Sequence, residues 1–274
     1  MNFSKNSMGY FAPKNREGLK ISYPLEGNEN CLSIEEQPHW FNARNQVILA
    51  SIEQFSFEGD FLAVGGGNGY QLLFLENYFK RKGIKSALCE PGSQGCANAA
   101  QMGLKNVYCC QFSDSPFKFF NIGAIGLLDV LEHIDDDVQF LKNIKSVLPI
   151  GGRIYITVPA MKFLFSDEDR FGGYFRRFNK KECSRVASGS GLKIISQTYF
   201  FSFYVPLVWL FRVFLEKINI NLSREKTQKN ELNYHKKRTL LNAVLNLLHL
   251  IEMRLAKIGC HIPFGTSMLI ILEK

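Results

Sequence analysis

The chain has 274 residues, 46% of them hydrophobic, which is enough for one large core or a core with an appended segment. Its formal charge of +8 favours acidic partners but does not choose among nucleic acid, anionic lipid and phosphorylated substrates. The first twenty residues contain no continuous apolar run. We therefore expect no secretory signal and a cytoplasmic location.

The seven cysteines are scattered, odd in number and free of any C-x-x-C pair. The neighbours Cys109 and Cys110 would point to opposite faces of a strand, which argues against a cysteine zinc site. Scattered cysteines within apolar segments are typical of a reducing compartment. We expect free thiols.

In chain order, residues 1–33 are polar and turn-rich and predict an extended N-terminal arm. Helical spacing of apolar residues follows from 34 to 55, and short apolar runs then alternate with longer amphipathic ones. Predicted strands lie at 60–64, 85–90, 106–110, 122–129 and 153–158, with predicted helices at 70–82, 94–103 and 135–148. This alternation predicts a parallel sheet with helices on both faces.

The remainder is less regular, with a predicted helix at 180–189 and predicted strands at 192–200 and 266–272. A helical insertion, at about 203–259, separates the last two strands, and we assign residues 34–274 to one domain. Its apolar part is too short to cross a bilayer, which needs about twenty residues. Two alternatives stay open: a helical hairpin packed on the sheet, or an interfacial helix pair on an anionic membrane.

The stretch FLAVGGGNGY, residues 61–70, puts four glycines directly after a predicted strand and before a predicted helix. Glycine accepts positive φ and lets the backbone approach a ligand that a Cβ would exclude. A turn at this place also directs free amide groups at the ligand. The stretch therefore predicts a nucleotide-binding loop.

The spacing of the glycines discriminates between nucleotides. Gly65, Gly67 and Gly69 form G-x-G-x-G, whereas the dinucleotide fingerprint needs its last glycine at the position that Tyr70 occupies. This disfavours an NAD enzyme. Glu90 ends the second strand, where a carboxylate can accept both hydrogen bonds of a ribose diol. The alternative for Glu90 is a solvated acid at a strand end.

Five stretches in this order resemble the class I S-adenosylmethionine-dependent methyltransferases: FLAVGGGNGY, ALCEPG, QFSDSPF, LLDVLEHIDDD and LPIGGRIYITVPA. Together with EEQPHWFNARNQVI and FGGYFRRF, they resemble a bacterial branch of that family whose substrates are mostly unassigned. The resemblance implies a Rossmann-like, mostly parallel seven-stranded sheet whose last strand is antiparallel. It also implies S-adenosylmethionine as cofactor.

The resemblance assigns roles to individual residues. The glycine loop, with Gly65, Gly66, Gly67 and Gly69, would line the methionine part of the cofactor, and Glu90 would hold the ribose. On the adenine side we expect two flanking residues, Gln111 and Phe112. Asp129 would begin the loop that faces the reacting centre and would also contact the cofactor.

Three positions depart from the family. Ala63 replaces the acid that commonly stands two residues before the first glycine, and Gln111 replaces an acid that often receives the adenine amino group. Tyr174 stands where this branch often has histidine. Ala63 and Tyr174 motivate the alternative function: a cofactor-binding accessory or scaffold protein of the same fold without turnover.

Methyl transfer from a sulfonium requires an aligned nucleophile and the exclusion of water. The segment around Trp40 and the 161–178 loop are the predicted lids, and Trp40 is a candidate substrate contact. For a hydroxyl acceptor His133 is the candidate base, with Asp129 and Tyr174 as the other candidate catalytic residues. The acids near His133 resemble a metal-holding loop of some quinone O-methyltransferases, but acids at a helix start explain them better, so we expect no metal.

Arg176 and Arg177 form a basic strip after the fifth predicted strand. Guanidinium groups suit phosphate or carboxylate, so the strip predicts an anionic substrate, with local pairing to Asp167, Glu168 and Asp169 as the alternative. No nucleic-acid-binding module is recognisable. The expected function is methyl transfer to a small-molecule or lipid-linked acceptor. Peripheral contact with the inner membrane face stays an open alternative, and the sequence does not determine the oligomeric state.

Overall fold

The structure is a computed structural model that describes residues 3–13, 38–114, 117, 121–214, 247–252, 254 and 262–274. Several predictions concern residues outside this description. They are the arm beyond residue 13, the side chain of Trp40 and residues 215–246 of the predicted insertion.

The described residues form nine strands in one sheet. They are β1 (Phe3–Lys5), β2 (Phe11–Pro13), β3 (Asp60–Val64), β4 (Ser86–Glu90), β5 (Val107–Cys109), β6 (Ile122–Leu128), β7 (Arg153–Pro159), β8 (Lys193–Phe200) and β9 (Ser267–Glu273). Their spatial order is β1-β2-β5-β4-β3-β6-β7-β9-β8. The predicted number of seven strands is therefore wrong, since the N-terminal segment adds two.

Helices connect the strands. They are α1 (Pro38–Gln54), α2 (Tyr70–Lys82), α3 (Ser93–Gln101), α4 (Asp137–Val147), α5 (Asp167–Phe171), α6 (Lys180–Ser190) and α7 (Val205–Val208), which continues as a π-helix (Trp209–Phe214). Residues 247–252 are also helical. The helical insertion before the last strand is confirmed for these described parts.

The centre of the sheet is parallel, as predicted. Strand β3 pairs in parallel with β4 and β6, and β5 and β7 extend the parallel sheet on either side. The last strand, β9, runs antiparallel between β7 and β8. This confirms the α/β Rossmann-like fold with an antiparallel last strand.

The N-terminal segment differs from the predicted extended arm. Residues 3–13 form a β-hairpin whose second strand pairs in parallel with β5 at the sheet edge, through Phe11 and Tyr108. The rings of these two residues stack at 5.0 Å, and Phe3 meets Tyr108 edge-on at 5.9 Å. The hairpin thus covers an open edge with aromatic contacts, a long-range pairing that local composition does not reveal.

Two apolar layers cover the two faces of the sheet. Phe61 and Ala63 of β3 belong to one layer, while Leu62 and Val64 belong to the other. This alternation follows from the two-residue period of a strand. Strand β3 is thus buried on both faces, and the glycine loop begins at its carboxyl end.

The insertion contains no membrane-crossing helix among the residues that the structure describes. After β8, its apolar first part forms a 3₁₀ turn (Ser202–Tyr204) that leads into α7 and the π-helix, with Pro206 in the first turn of α7.

Candidate cofactor and methyl-transfer site

The site lies where the strand order reverses. Strands β3 and β6 are neighbours at the centre of the sheet, and the chain leaves β3 toward one edge and β6 toward the other. In such sheets the crevice outside the carboxyl ends of these strands is the usual ligand site. The glycine loop follows β3 and Asp129 follows β6, whereas Glu90 is the last residue of β4 and Gln111 lies just after β5.

The glycine loop has the backbone geometry that its composition predicts. Gly65, Gly67 and Gly69 have φ values of 70°, 52° and 80°, which lie in the left-handed region. A Cβ on Gly69 would also lie 2.6 Å from Leu104 Cδ1. Both the positive φ and the lack of space for a Cβ therefore favour glycine at position 69. Helix α2 begins at the next residue.

Glu90 joins two backbone turns. The N–H of Gly67 donates to Glu90 Oε2 at 2.9 Å, and the N–H of Gly92 donates to Oε1 at 2.7 Å. The side chain is buried, so the alternative of a solvated acid at a strand end is excluded. Each carboxylate oxygen has a second lone pair that can still accept a hydroxyl.

Burial raises the pKa of Glu90 to about 7, although the N–H groups of Gly92 and Gly67 act to lower it. The ionised form is thus costly in the ligand-free protein. A ligand that donates hydrogen bonds to this carboxylate would favour ionisation. Glu90 is therefore a buried acid with remaining acceptor capacity, and its charge state depends on pH near neutrality.

Ala63 lies in the apolar layer beneath the loop and is buried. A small cavity beside it is also lined by Gly66, Gln71 and Leu128. No carboxylate lines this cavity among the residues that the structure describes. The described lining of this cavity therefore holds no acid in place of the one expected at position 63 from the sequence resemblance.

Gln111 and Phe112 follow β5, as predicted, and both are half-buried. Phe112 meets the ring of Phe140 from α4 at 6.5 Å. Their position next to the end of β4 is compatible with an adenine between them and the sheet. Their roles stay predictions.

Asp129 is held in an unusual conformation. Its φ is 57°, which is rare for a residue other than glycine, and such strain often occurs at functional sites. Thr157 Oγ1 donates to Asp129 Oδ1 at 2.8 Å, and the N–H of Asp129 bonds to the carbonyl oxygen of Thr157 at 3.0 Å. Strand β7 thereby fixes the loop after β6.

The second partner of Asp129 is Arg44 of α1, whose Nη1 forms an ion pair with Asp129 Oδ2. Arg44 is buried, and its guanidinium lies over the ring of Phe41 at 5.2 Å. Neither Arg44 nor Thr157 was predicted from the sequence as part of the site. The available signal was that Arg44 lies three and four residues before Val47 and Ile48, on the apolar stripe of its helix.

Glu132 and His133 follow in a short 3₁₀ turn (Leu131–His133). Glu132 is fully buried, and neither carboxylate oxygen has a hydrogen-bond partner. Burial raises its pKa to about 8 against the opposing effect of Arg44 and Arg177. The cost of ionising an unpartnered buried acid explains the shift.

His133 and Tyr174 are brought together, although 40 sequence positions separate them. Their rings meet edge-on with centroids 4.9 Å apart. Burial lowers the pKa of His133, while a hydrogen bond with the backbone of Gly173 raises it. At neutral pH the imidazole is therefore neutral and has one ring nitrogen able to accept a proton.

Arg176 and Arg177 are engaged within the protein. Arg177 is buried and forms a two-fold pair with Asp169, at 2.6 Å and 2.8 Å. Arg176 donates to Asp137 at 2.7 Å. The structure thus favours the alternative of pairing over the predicted role in binding an anionic substrate, although Asp137 was not among the expected partners.

The described residues contain neither a metal-binding cluster nor a disulfide. Within the described ranges, no group of three His, Cys, Asp or Glu side chains could hold a metal ion. The five described cysteines are free and buried, and Cys109 and Cys110 belong to opposite apolar layers as expected.

Comparison with known proteins agrees with this geometry. Residues 62–156 match a family model described as a methyltransferase domain. A search of curated protein sequences gives no match.

Solved structures share the fold at low sequence identity. Phosphoethanolamine N-methyltransferase 2 of Haemonchus contortus, bound to phosphomonomethylethanolamine and S-adenosylhomocysteine, is 16% identical with a TM-score of 0.55, covering 93% of this chain and 59% of its own. The chain thus spans about three fifths of that enzyme's length.

Two further structures show the range of proteins with this fold. Geranyl diphosphate C-methyltransferase of Streptomyces coelicolor, bound to Mg²⁺, geranyl diphosphate and S-adenosylhomocysteine, is 12% identical over 96% of this chain and 89% of its own, with a TM-score of 0.55. The cyclase SpnF is 15% identical over 87% of this chain and 84% of its own, with a TM-score of 0.54. These likenesses establish the fold and leave the reaction to be argued from the site.

Proposed function

We propose that this protein is an S-adenosylmethionine-dependent methyltransferase. One observation carries the proposal: a buried carboxylate, Glu90, stands at the end of β4 and receives the N–H groups of Gly67 and Gly92. Two loops are thus organised around one acid, at the strand ends where this fold binds its ligand. The methyltransferase family match over residues 62–156 supports the same reading.

The residues fit an adenosyl donor. Glu90 retains acceptor capacity for a ribose diol. The glycine loop provides a backbone free of side chains for the methionine part, and Gln111 and Phe112 would flank the adenine. When bound, the sulfonium supplies a methyl group on a good leaving group, so the protein's main task is alignment, which contributes about 7–11 kcal/mol in well-oriented reactions.

Proton transfer falls to His133 in this proposal. A bound sulfonium would supply the methyl group, and its sulfur would keep the electron pair of the broken bond, so the acceptor atom would have to be held in line with it. A hydroxyl or amine acceptor then passes its proton to the neutral imidazole of His133. Tyr174 would orient the ring by their edge-on contact at 4.9 Å. Asp129, fixed by Arg44 and Thr157, would hold the loop that faces the reacting atoms.

For the acceptor we propose an anionic small molecule or lipid-linked compound, methylated at the inner face of the membrane. The net charge of +8 supports an acidic partner. Two proteins of the same fold were solved with phosphorylated acceptors, phosphomonomethylethanolamine and geranyl diphosphate. Because Arg176 and Arg177 are already paired, other basic residues would recognise the anion.

Titration calorimetry with S-adenosylmethionine and S-adenosylhomocysteine tests the proposal. The wild-type protein should bind both, and Glu90→Ala should weaken binding by about 100-fold through the loss of two charge-assisted hydrogen bonds. Glu58→Ala is the matched control, since Glu58 is an exposed acid before β3. Equal affinities of the two variants, or no binding by the wild type, would overturn the assignment.

A cofactor-binding protein without turnover is the second candidate, favoured by Ala63 in its apolar surroundings and by Tyr174 in place of histidine. Incubation with methyl-labelled S-adenosylmethionine and membrane or cytosolic extracts distinguishes the two. Label transferred by the wild type and reduced in His133→Ala supports the enzyme. Cofactor binding without any transfer supports the scaffold.

A further inference from the structure

The helix at residues 247–252 buries its polar side chains and exposes its apolar ones. His249 and Glu252 are its buried side chains, only 4% and 5% exposed, whereas Leu247 and Leu250 are 58% and 49% exposed. At 100° per residue, the two buried residues share one side of the helix and the apolar ones share the other. Glu252 is held inward because its carboxylate accepts the N–H groups of Phe201 and Ser202, at 2.9 Å and 2.8 Å.

The segment after β8 shows the same arrangement. Leu207, Leu210 and Phe214 recur at spacings of three and four, and each is exposed by about two fifths of its surface. Trp209 is exposed to a similar degree and stacks on Phe214 at 5.5 Å. Both segments therefore present large apolar side chains outward, and contiguous exposure of this kind marks an interaction surface.

The charge of the sequence between the two segments indicates what kind of partner their apolar side chains would bind. Residues 215–246, which connect the two segments in sequence, contain seven Lys and Arg against three Asp and Glu. Half of the chain's formal charge of +8 is thus concentrated between the two apolar segments. Apolar side chains beside a basic stretch, with a tryptophan among them, are the features of interfacial binding to anionic lipid.

We propose that the exposed apolar side chains of residues 207–214 and 247–251 insert into the surface of an anionic bilayer. A second copy of the chain or an acidic protein would not need so many aliphatic side chains beside net positive charge. This inference rests on the exposed side chains of the described helices and on the charge of the sequence that connects them, not on the proposed methyl transfer.

The surface is connected to the candidate site by short steps. The rings of His249 and Phe201 have their centroids 5.6 Å apart, and the imidazole of His249 lies near the backbone of Ala43 in α1. The next residue, Arg44, forms the ion pair with Asp129. A bilayer at this surface would therefore be separated from α1 by the 247–252 helix alone, which suits a lipid-linked acceptor.

Vesicle co-flotation with the full-length protein tests the inference. Vesicles of phosphatidylcholine mixed equally with phosphatidylglycerol should retain the protein, and pure phosphatidylcholine should retain much less. The double variant Leu247→Glu/Leu250→Glu should weaken retention by about tenfold or more, because two aliphatic contacts become charges. Ile150→Glu is the matched control, since Ile150 is an exposed apolar residue in the turn before β7, and should have no effect.

Each other outcome decides against the inference. No retention, equal retention on neutral vesicles, or equal retention of the double variant and Ile150→Glu would each overturn it. Light scattering of the wild type reveals dimers, and loss of dimers in the double variant would assign the surface to self-association instead. Circular dichroism checks that the variants are folded, and calorimetric binding of S-adenosylhomocysteine reports the proposed function separately.

Discussion

The guanidinium of Arg44 and the carboxylate of Asp129 form an ion pair that joins α1 to the loop after β6. Arg44 is buried, and Asp129 has the left-handed φ of 57°. Thr157 occupies the other carboxylate oxygen. One acid at the strained position thus connects the N-terminal helix, the central loop and β7, so the geometry of the site depends on contacts that are distant in sequence.

Breaking this pair should destabilise the fold. Arg44→Met leaves Asp129 without its cation, and we expect the free energy of unfolding in urea to fall by about 1–3 kcal/mol, less than for fully buried pairs because Asp129 is partly exposed. Arg170→Met is the matched control, because Arg170 pairs with Asp167 at the surface. The control should change stability by less than about 0.5 kcal/mol. Similar losses in both variants would contradict a special role for the buried pair.

Glu132 should make the protein less stable as pH rises. Burial raises the folded-state pKa of Glu132 from 4.5 to about 8. At pH values between 4.5 and about 8, Glu132 has lost its proton in the unfolded chain but still holds it in the folded chain. The free energy of unfolding therefore decreases as the pH rises. Glu132→Gln should be more stable than the wild type at pH 8, by about 1–3 kcal/mol, and nearly equal at pH 4.

The comparison is made by urea unfolding at both pH values, with Glu58→Gln as the exposed control. A stability difference between wild type and Glu132→Gln that does not change with pH would show that Glu132 has a partner in solution.

Affinity for the cofactor should increase with pH. The pKa of Glu90 is about 7 in the ligand-free protein, because burial disfavours its charge. The ionised fraction needed to accept the ribose hydroxyls therefore grows about tenfold between pH 6 and pH 8. Calorimetry with S-adenosylhomocysteine should show that the Kd of the wild type decreases by up to about tenfold between pH 6 and pH 8. In Glu90→Gln the affinity should be lower and this pH dependence should be lost; an unchanged pH dependence would assign it to another group.

The glycine loop should tolerate no side chain at position 69. Gly69→Ala combines a positive φ with a Cβ only 2.6 Å from Leu104, whereas Gly83→Ala has a positive φ and no atom within 4 Å. We expect the Gly83 variant to lose about 1–2 kcal/mol from backbone strain alone. The Gly69 variant should lose a further 1–3 kcal/mol, roughly the cost of overpacking. Equal losses in thermal and urea unfolding would indicate that the loop can move away.

Local sequence patterns were sufficient for most of the fold. The strand and helix at residues 60–64 and 70–82 agree with their predicted bounds, because β3 is a short apolar run and α2 an amphipathic one. The N-terminal hairpin could not be predicted in this way. Its pairing depends on Tyr108, nearly a hundred residues away, and its strands have only three residues each.

The site could be predicted only where chemistry follows a strand end. Glu90 and the glycine loop were identifiable because residue type, spacing and position all agree. Arg44 was not, because its importance comes from a partner 85 positions later. The pairing of Arg177 with Asp169 was an open alternative, since a sequence does not show whether a guanidinium finds a carboxylate within the protein or on a ligand.

The crystal structure of the protein with S-adenosylhomocysteine tests the central claim most directly. We predict the ribose hydroxyls within hydrogen-bond distance of both oxygens of Glu90, and the homocysteine part against the backbone of residues 65–69. The adenine should lie beside Phe112. A ligand bound elsewhere, or a ribose that does not contact Glu90, would contradict the account.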